Sequence, residues 1–170
     1  MRRIAFRILL AITGLAAVAQ IGAAQVCDPV VFPPPPGNFF MLPDNRCRFP
    51  IRVDVVSNKE CQDVVTLADG TTVTRIRGRL VLSFTNTITN FTITRNVSGP
   101  TTETDHPDGT ATFVGEGKNW FAFGPKSQAN TGEPGLVFTS GLVVLQIADG
   151  AVQSFSLQGT QVNGCELLND

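Results

Sequence analysis

The chain has 170 residues, 13 Lys+Arg against 14 Asp+Glu, and a formal charge of −1. That balance excludes the basic surface a nucleic-acid binder needs. Tyr is absent, Trp and His occur once each, and Phe with Val, Ile, Leu and many Thr favours strands over helices.

Residues 1–24 read as a secretory signal peptide. Arg2, Arg3 and Arg7 form a basic n-region, Ile8 to Ala19 a short apolar core, and Gly22-Ala23-Ala24 a small-residue cleavage site. Thr13, Gly14, Gln20 and Gly22 interrupt the apolar run, which is too short for a retained span. Val26 before Cys27 argues against a lipid anchor. The expected product is secreted and extracellular, with no stable membrane insertion after signal cleavage. Its 146 residues suit one domain. With the three Arg gone, ten Lys+Arg face 14 Asp+Glu, a mature formal charge of −4.

Residues 25–46 are expected to form an irregular, proline-rich arm, because Phe32-Pro33-Pro34-Pro35-Pro36-Gly37 suits only extended polyproline II. Residues 47–170 then form a single β domain. Phe49, Ile51, Val53 and Val55 alternate with Pro50, Arg52 and Asp54, the signature of a half-buried strand. From Thr72 to Thr85, Ile76, Gly78, Leu80, Leu82 and Phe84 alternate with Arg75, Arg77, Arg79, Val81 and Ser83. Asp69-Gly70, Asp108-Gly109 and Asp149-Gly150 each predict a hairpin with a type I′ turn. A further turn is expected at Asn86 to Asn90. Strands are expected at Phe91 to Thr94, Thr110 to Gly115, Asn119 to Phe123, Leu136 to Ala148 and Ala151 to Val162, with a loop from Gly124 to Gly135. No mature segment keeps a helical period. The expected fold is all-β, an antiparallel β-barrel of about eight or nine strands, with a β-sandwich as the alternative.

Cys47-Arg48-Phe49-Pro50-Ile51, Leu67-Ala68-Asp69-Gly70, Thr85-Asn86, Asn96-Val97-Ser98-Gly99-Pro100, Pro107-Asp108-Gly109 and Gly164-Cys165-Glu166-Leu167-Leu168 occur in that order. The series resembles a family of small secreted all-β proteins common in actinobacteria, over about Cys47 to Leu168. Order and spacing carry the match, since each motif alone is mostly turn chemistry. The resemblance implies one Cys before the first strand and one after the last, here Cys47 and Cys165; it implies no activity. Cys27, Cys61, the proline-rich arm and a longer Lys126 to Gly135 loop depart from that pattern.

Four Cys allow three pairings, among which sequence alone does not choose. If barrel closure makes the first and last strands antiparallel neighbours, Cys47 meets Cys165, in agreement with the family pattern, and Cys27 is left for Cys61. The competing scheme joins Cys27 to Cys47 and Cys61 to Cys165. Wide spacings and a single His argue against zinc, and no cofactor is implied.

Candidate chemistry is sparse. His106, in Glu103-Thr104-Asp105-His106-Pro107-Asp108-Gly109, would need Asp105 or Glu103 as orienter and a nucleophile such as Ser98. No Gly-x-Ser-x-Gly elbow accompanies it, so no catalytic residue is assigned. The same carboxylates lack the spacing of a calcium loop. Arg75, Arg77 and Arg79 offer a stripe to an anionic polymer, but equally an ordinary wet strand face. Trp120, Phe121 and Phe123 form the densest aromatic cluster, and Arg95 shares a strand face with Phe91, Ile93 and Val97. Either a bulge turns Arg95 outward or it lies near a ligand site. These four residues are the expected binding residues of a non-enzymatic binding or surface-interaction module. Its partner would be a small apolar ligand in the barrel or a cell-envelope component. A structural envelope or matrix protein with a filled core is the alternative, ahead of an enzyme using the His106 loop.

Overall fold

The computed structural model describes residues 27–30 and 39–169. The signal-peptide segment and the Phe32 to Gly37 run lie outside the described residues. Two long hairpins dominate: β3 (Ile51–Thr66) with β4 (Thr72–Asn86), and β9 (Leu136–Ala148) with β10 (Ala151–Asn163). Shorter strands fill in around them: β1 (Asp28–Pro29), β2 (Phe39–Leu42), β5 (Thr92–Asn96), β6 (Thr101–Asp105), β7 (Ala111–Gly115) and β8 (Lys118–Ala122). Among the described residues there are two short helices, α1 (Pro125–Thr131) and α2 (Gly164–Leu167).

Every pairing is antiparallel, and one path runs β1-β3-β4-β6-β7-β9-β10. The path is open. β3 and β10 are not partners, so the closed barrel expected from the alternation is not formed among the described residues.

Each long hairpin changes neighbours half-way along. The first half of β4 pairs with β6 through Thr72–Ile76 and the second half with β5 through Val81–Thr85. Likewise β9 pairs with β8 through Leu136–Ser140, then with β7 through Val143–Ile147. At each changeover the chain uses glycine in a backbone region closed to L side chains. Gly78 has φ +129°, and the cross-strand pair Gly141 and Gly159 have +138° and +154°. A Cβ would stand 2.3 Å from the Lys59 carbonyl oxygen at Gly78, and 2.2 Å and 2.1 Å from backbone oxygens at the other two. Beyond these glycines the ends of the two hairpins share one core.

The principal core lies between those ends. Ile51, Val53, Leu82, Phe84 and Leu136 are fully buried there, with Leu80, Val97 and Phe138 beside them and Leu168 closing the end. Burial of each such side chain contributes about 1.5–3 kcal/mol. A second cluster occupies the other face of β9: Val137 turns away from Leu136 and Phe138 to join Phe123, Val143 and Leu145.

All three Asp-Gly dipeptides make hairpins, but only one makes the expected turn. Asp149 and Gly150 both have positive φ, +51° and +66°, which fits type I′. At the other two only Gly70 and Gly109 are positive, and the bonds Leu67 N–H to Thr71 O and His106 N–H to Thr110 O close a longer loop. The Asp69 and Asp108 carboxylates accept from the N–H two residues on, which favours this longer loop, closed also by Gly70 N–H to Leu67 O and Gly109 N–H to His106 O. The expected 124–135 loop contains α1, whose start and stop follow the Pro-first, Gly-last rule at Pro125 and Gly132 (φ +74°). The 25–46 arm is not wholly irregular, since β1 and β2 both pair with β3.

Candidate functional site

The two disulfides are Cys27–Cys61 and Cys47–Cys165. Cys61 lies inside β3, opposite Pro29. Cys47 and Cys165 meet although their flanking strands do not pair. The bond is carried by the loop before β3 and by α2, where Asn163 Oδ1 accepts from the N–H groups of Cys165 and Glu166 at 3.0 and 3.4 Å.

Beside this disulfide opens a cleft of about 640 Å³, within the range of small-molecule sites. Arg46, Arg48, Asn86, Gln128 and Glu166 give it a polar lining, and Phe49, Ile88, Pro134 and the disulfide an apolar one. Its floor is rigid. Asn86 is 2% exposed, donates from Nδ2 to the Leu168 carbonyl at 2.9 Å and accepts at Oδ1 from Ile88 N–H at 2.9 Å. Gln128 donates from Nε2 to the Asn45 and Phe123 carbonyls, tying α1 to the other wall.

Arg46 and Arg48 flank Cys47 in a loop folded by Arg46 N–H to Pro43 O and Arg48 N–H to Asp44 O. Arg48 sits at φ +68°, a conformation costing on the order of 1–3 kcal/mol for a residue with a Cβ. The backbone of Arg46 passes so close to Gly135 that a Cβ there would stand 1.8 Å from the Arg46 carbonyl oxygen. Its guanidinium lies over Gly124, where a Cβ would meet Nη1 at 2.5 Å. Among the described residues Arg46 Nε is buried without an acceptor, and the guanidinium makes a long bond, 3.4 Å from Nη1 to Asn45 Oδ1. Among the described residues the ion pairs are Arg52–Asp54 and Arg77–Asp63, and neither Arg46 nor Arg48 belongs to one.

The expected binding residues lie elsewhere, divided between the two cores. Trp120 packs edge-on to Phe84, ring centroids 5.4 Å apart, and tilted against Phe40 at 6.0 Å. Arg95 needs no bulge: it is half-buried in an unbroken β4–β5 register, its guanidinium 5.7 Å from the Phe138 ring centroid. Phe121 and Phe123 face the second cluster with Phe155, at 6.1 and 5.7 Å. None of the four lines the cleft.

The Arg stripe borders a smaller hollow of about 220 Å³, where Arg75 and Arg77 meet Pro100, Val114 and Glu116. Arg77 is already paired, 2.6 Å from Asp63. His106 lies exposed in the β6–β7 turn beside Pro107, which packs on Gly70. Ser98 is far along β4 from it, with Oγ bonded to both the N–H and C=O of Leu80. Burial, and then the neighbouring Asp105, raises the pKa of Glu103, and burial raises that of Glu60. Among the described residues no three His, Cys, Asp or Glu side chains gather as metal ligands, and no helix is long and apolar enough to cross a membrane.

Comparisons with protein families, with curated proteins and with solved structures find no match for this chain. Sequence reasoning passed over Arg46, Arg48, Asn86 and Glu166; the one signal available was the pair of Arg flanking Cys47.

Proposed function

We propose that this chain is a secreted, non-enzymatic binding module that holds a small ligand in the cleft beside Cys47–Cys165. The observation that carries this reading is the Arg46 guanidinium: a part-buried cation with no ion pair among the described residues, on the wall of a 640 Å³ cleft with a braced floor. Export is supported by the pattern of residues 1–24 and by two disulfides, which persist in oxidising compartments. The order and spacing of the turn motifs support a place among the small actinobacterial secreted proteins. The interior expected to take an apolar ligand is occupied by Phe84, Trp120 and Phe138, which favours the cleft as the site. That same filled core favours, as a second reading, a structural envelope protein with no ligand.

Native mass spectrometry of the protein purified from culture medium separates the two. Under the binding reading, small molecules offered to the protein add mass to the wild type, and Ile88→Trp, which narrows the cleft, reduces that adduct. A wild-type chain that takes up none of them supports the structural reading.

A further inference from the structure

We infer that the cleft selects organic carboxylates, with Arg46 and Arg48 as the anchoring cations and the disulfide, Phe49, Ile88 and Pro134 as the bed for the apolar body. The inference rests on the cleft being the ligand site. Its described lining holds two cations and one carboxylate, Glu166, an excess of one positive charge on a chain whose mature formal charge is −4. One excess charge matches a monoanion better than a phosphate dianion. Guanidinium groups meet carboxylates through two parallel N–H bonds, and such charged bonds are stronger where water is thinned out.

The pre-payment lies in the loop. The Arg48 backbone is held in a left-handed conformation and the Arg46 backbone is packed against Gly135, so the loop that carries both cations is set before binding. Asn86 and Gln128 commit their amide N–H groups to backbone carbonyls. The arginines are therefore the charged donors left for a ligand. Glu166 in the same lining disfavours a second negative charge.

The test is calorimetric titration of the mature, disulfide-intact protein with hexanoate, an N-acetyl dipeptide, glucuronate, inorganic phosphate and the neutral hexanamide. The three carboxylates distinguish a fatty acid, a peptide C-terminus and a sugar acid as the source of the group. At least one carboxylate is expected to bind, tenfold or more tighter than hexanamide and phosphate, and more weakly at 0.5 M salt. Arg46→Gln is expected to weaken it at least tenfold and Arg48→Gln about threefold, while Arg75→Gln with Arg79→Gln leaves it unchanged. Ile88→Trp weakens it through the cleft wall.

If hexanamide binds as well as hexanoate and is sensitive to Ile88→Trp but not to Arg46→Gln, the cleft reading stands and the carboxylate inference fails. If carboxylates bind equally to wild type and Ile88→Trp, or nothing binds at all, the cleft reading fails with it. Asp170 follows the cleft residue Asn169 and lies outside the described residues. Binding that emerges only in Asp170→Asn would show the chain's own carboxylate on the arginines and overturn the inference.

Discussion

Two groups of arginines contrast sharply in this molecule. Arg75, Arg77 and Arg79 form the more conspicuous pattern in the sequence, three cations alternating along one strand. In the fold they are exposed on β4, and Arg77, whose side chain is 53% exposed, has its partner in Asp63. Arg46 and Arg48 form no stripe, yet they stand on the wall of the larger cleft, without a carboxylate partner among the described residues and, at Arg46, with one N–H buried. Charge density along a strand reports a wet face. A cation held by glycines, a disulfide and turn bonds reports a position the chain maintains at a cost.

The largest expected effect comes from the bond that joins the cleft walls. Replacing both Cys47 and Cys165 by Ala opens a closure of sequence separation 118 and should cost about 5 kcal/mol by the chain-entropy account. Thermal unfolding should drop by about 10–20 °C, and carboxylate affinity should fall at least tenfold. Removing Cys27 and Cys61, of separation 34, should cost about 4 kcal/mol and leave affinity intact, because that bond pins only the β1 edge to β3. Equal affinities in the two double variants would break the distinction between the arginine groups.

Next in size is a pair of glycines that touch the same arginine differently. Gly135→Ala drives a Cβ into the Arg46 backbone and should cost about 3 kcal/mol. Gly124→Ala meets only the movable guanidinium, so stability should change by less than about 1 kcal/mol while affinity falls. Denaturant unfolding beside calorimetry checks both. A Gly124→Ala protein with wild-type affinity would mean that the guanidinium position does not matter.

Arg77→Ala should be smaller still, about 0–1 kcal/mol for a partly exposed ion pair, with no effect on affinity.

The least effect belongs to the carboxylate on the other side of the stripe's sheet. Glu103 lies on β6 opposite Thr74, and its pKa is raised by burial and then by Asp105, not lowered by the arginines. Its neutral form is the one the fold prefers. Its contribution is therefore fully present below the unfolded value of about 4.3 and is lost as pH rises through the higher folded value. Glu103→Gln should raise the melting temperature slightly at pH 7 and not at pH 3.5. Asp69 and Asp108 run the opposite way: hydrogen bonds from Thr71 and Thr110 lower their pKa values, so their contribution holds at neutral pH and is lost as pH falls through the lowered values.

Much of the fold was legible locally. Alternation located β3 and β4, and Asp-Gly located three hairpins, because period-2 burial and positive φ are properties of a few adjacent residues. The pairing Cys47–Cys165 was also right, though through the family pattern and an assumed closure that the sheet does not make. The length of β3 was missed, since Ser57, Asn58, Lys59 and Glu60 lack an apolar face yet are held by a 15-residue partner strand. Helix α1 was missed despite Pro125 and Gly132, because its seven residues are too few to show a period.

The site was less legible. Trp120, Phe121 and Phe123 drew attention by composition, but aromatic clusters most often become core, as these do. The cleft is built by residues as distant as Arg46, Asn86, Gln128 and Glu166, which the Cys47–Cys165 bond and the hydrogen bonds of Asn86 to Leu168 and Gln128 to Asn45 bring together. No local pattern encodes that meeting. Asn86 is the clearest case: in sequence a turn residue, in the fold the tie between the β4–β5 turn and the Leu168 carbonyl.

The most direct measurement is nuclear magnetic resonance of the arginine Nε–H groups during titration with hexanoate. The account predicts that the Arg46 signal moves furthest, Arg48 moves with the same affinity, and Arg75, Arg77 and Arg79 stay still. Movement confined to the three stripe arginines, with Arg46 unchanged at saturation, would contradict it.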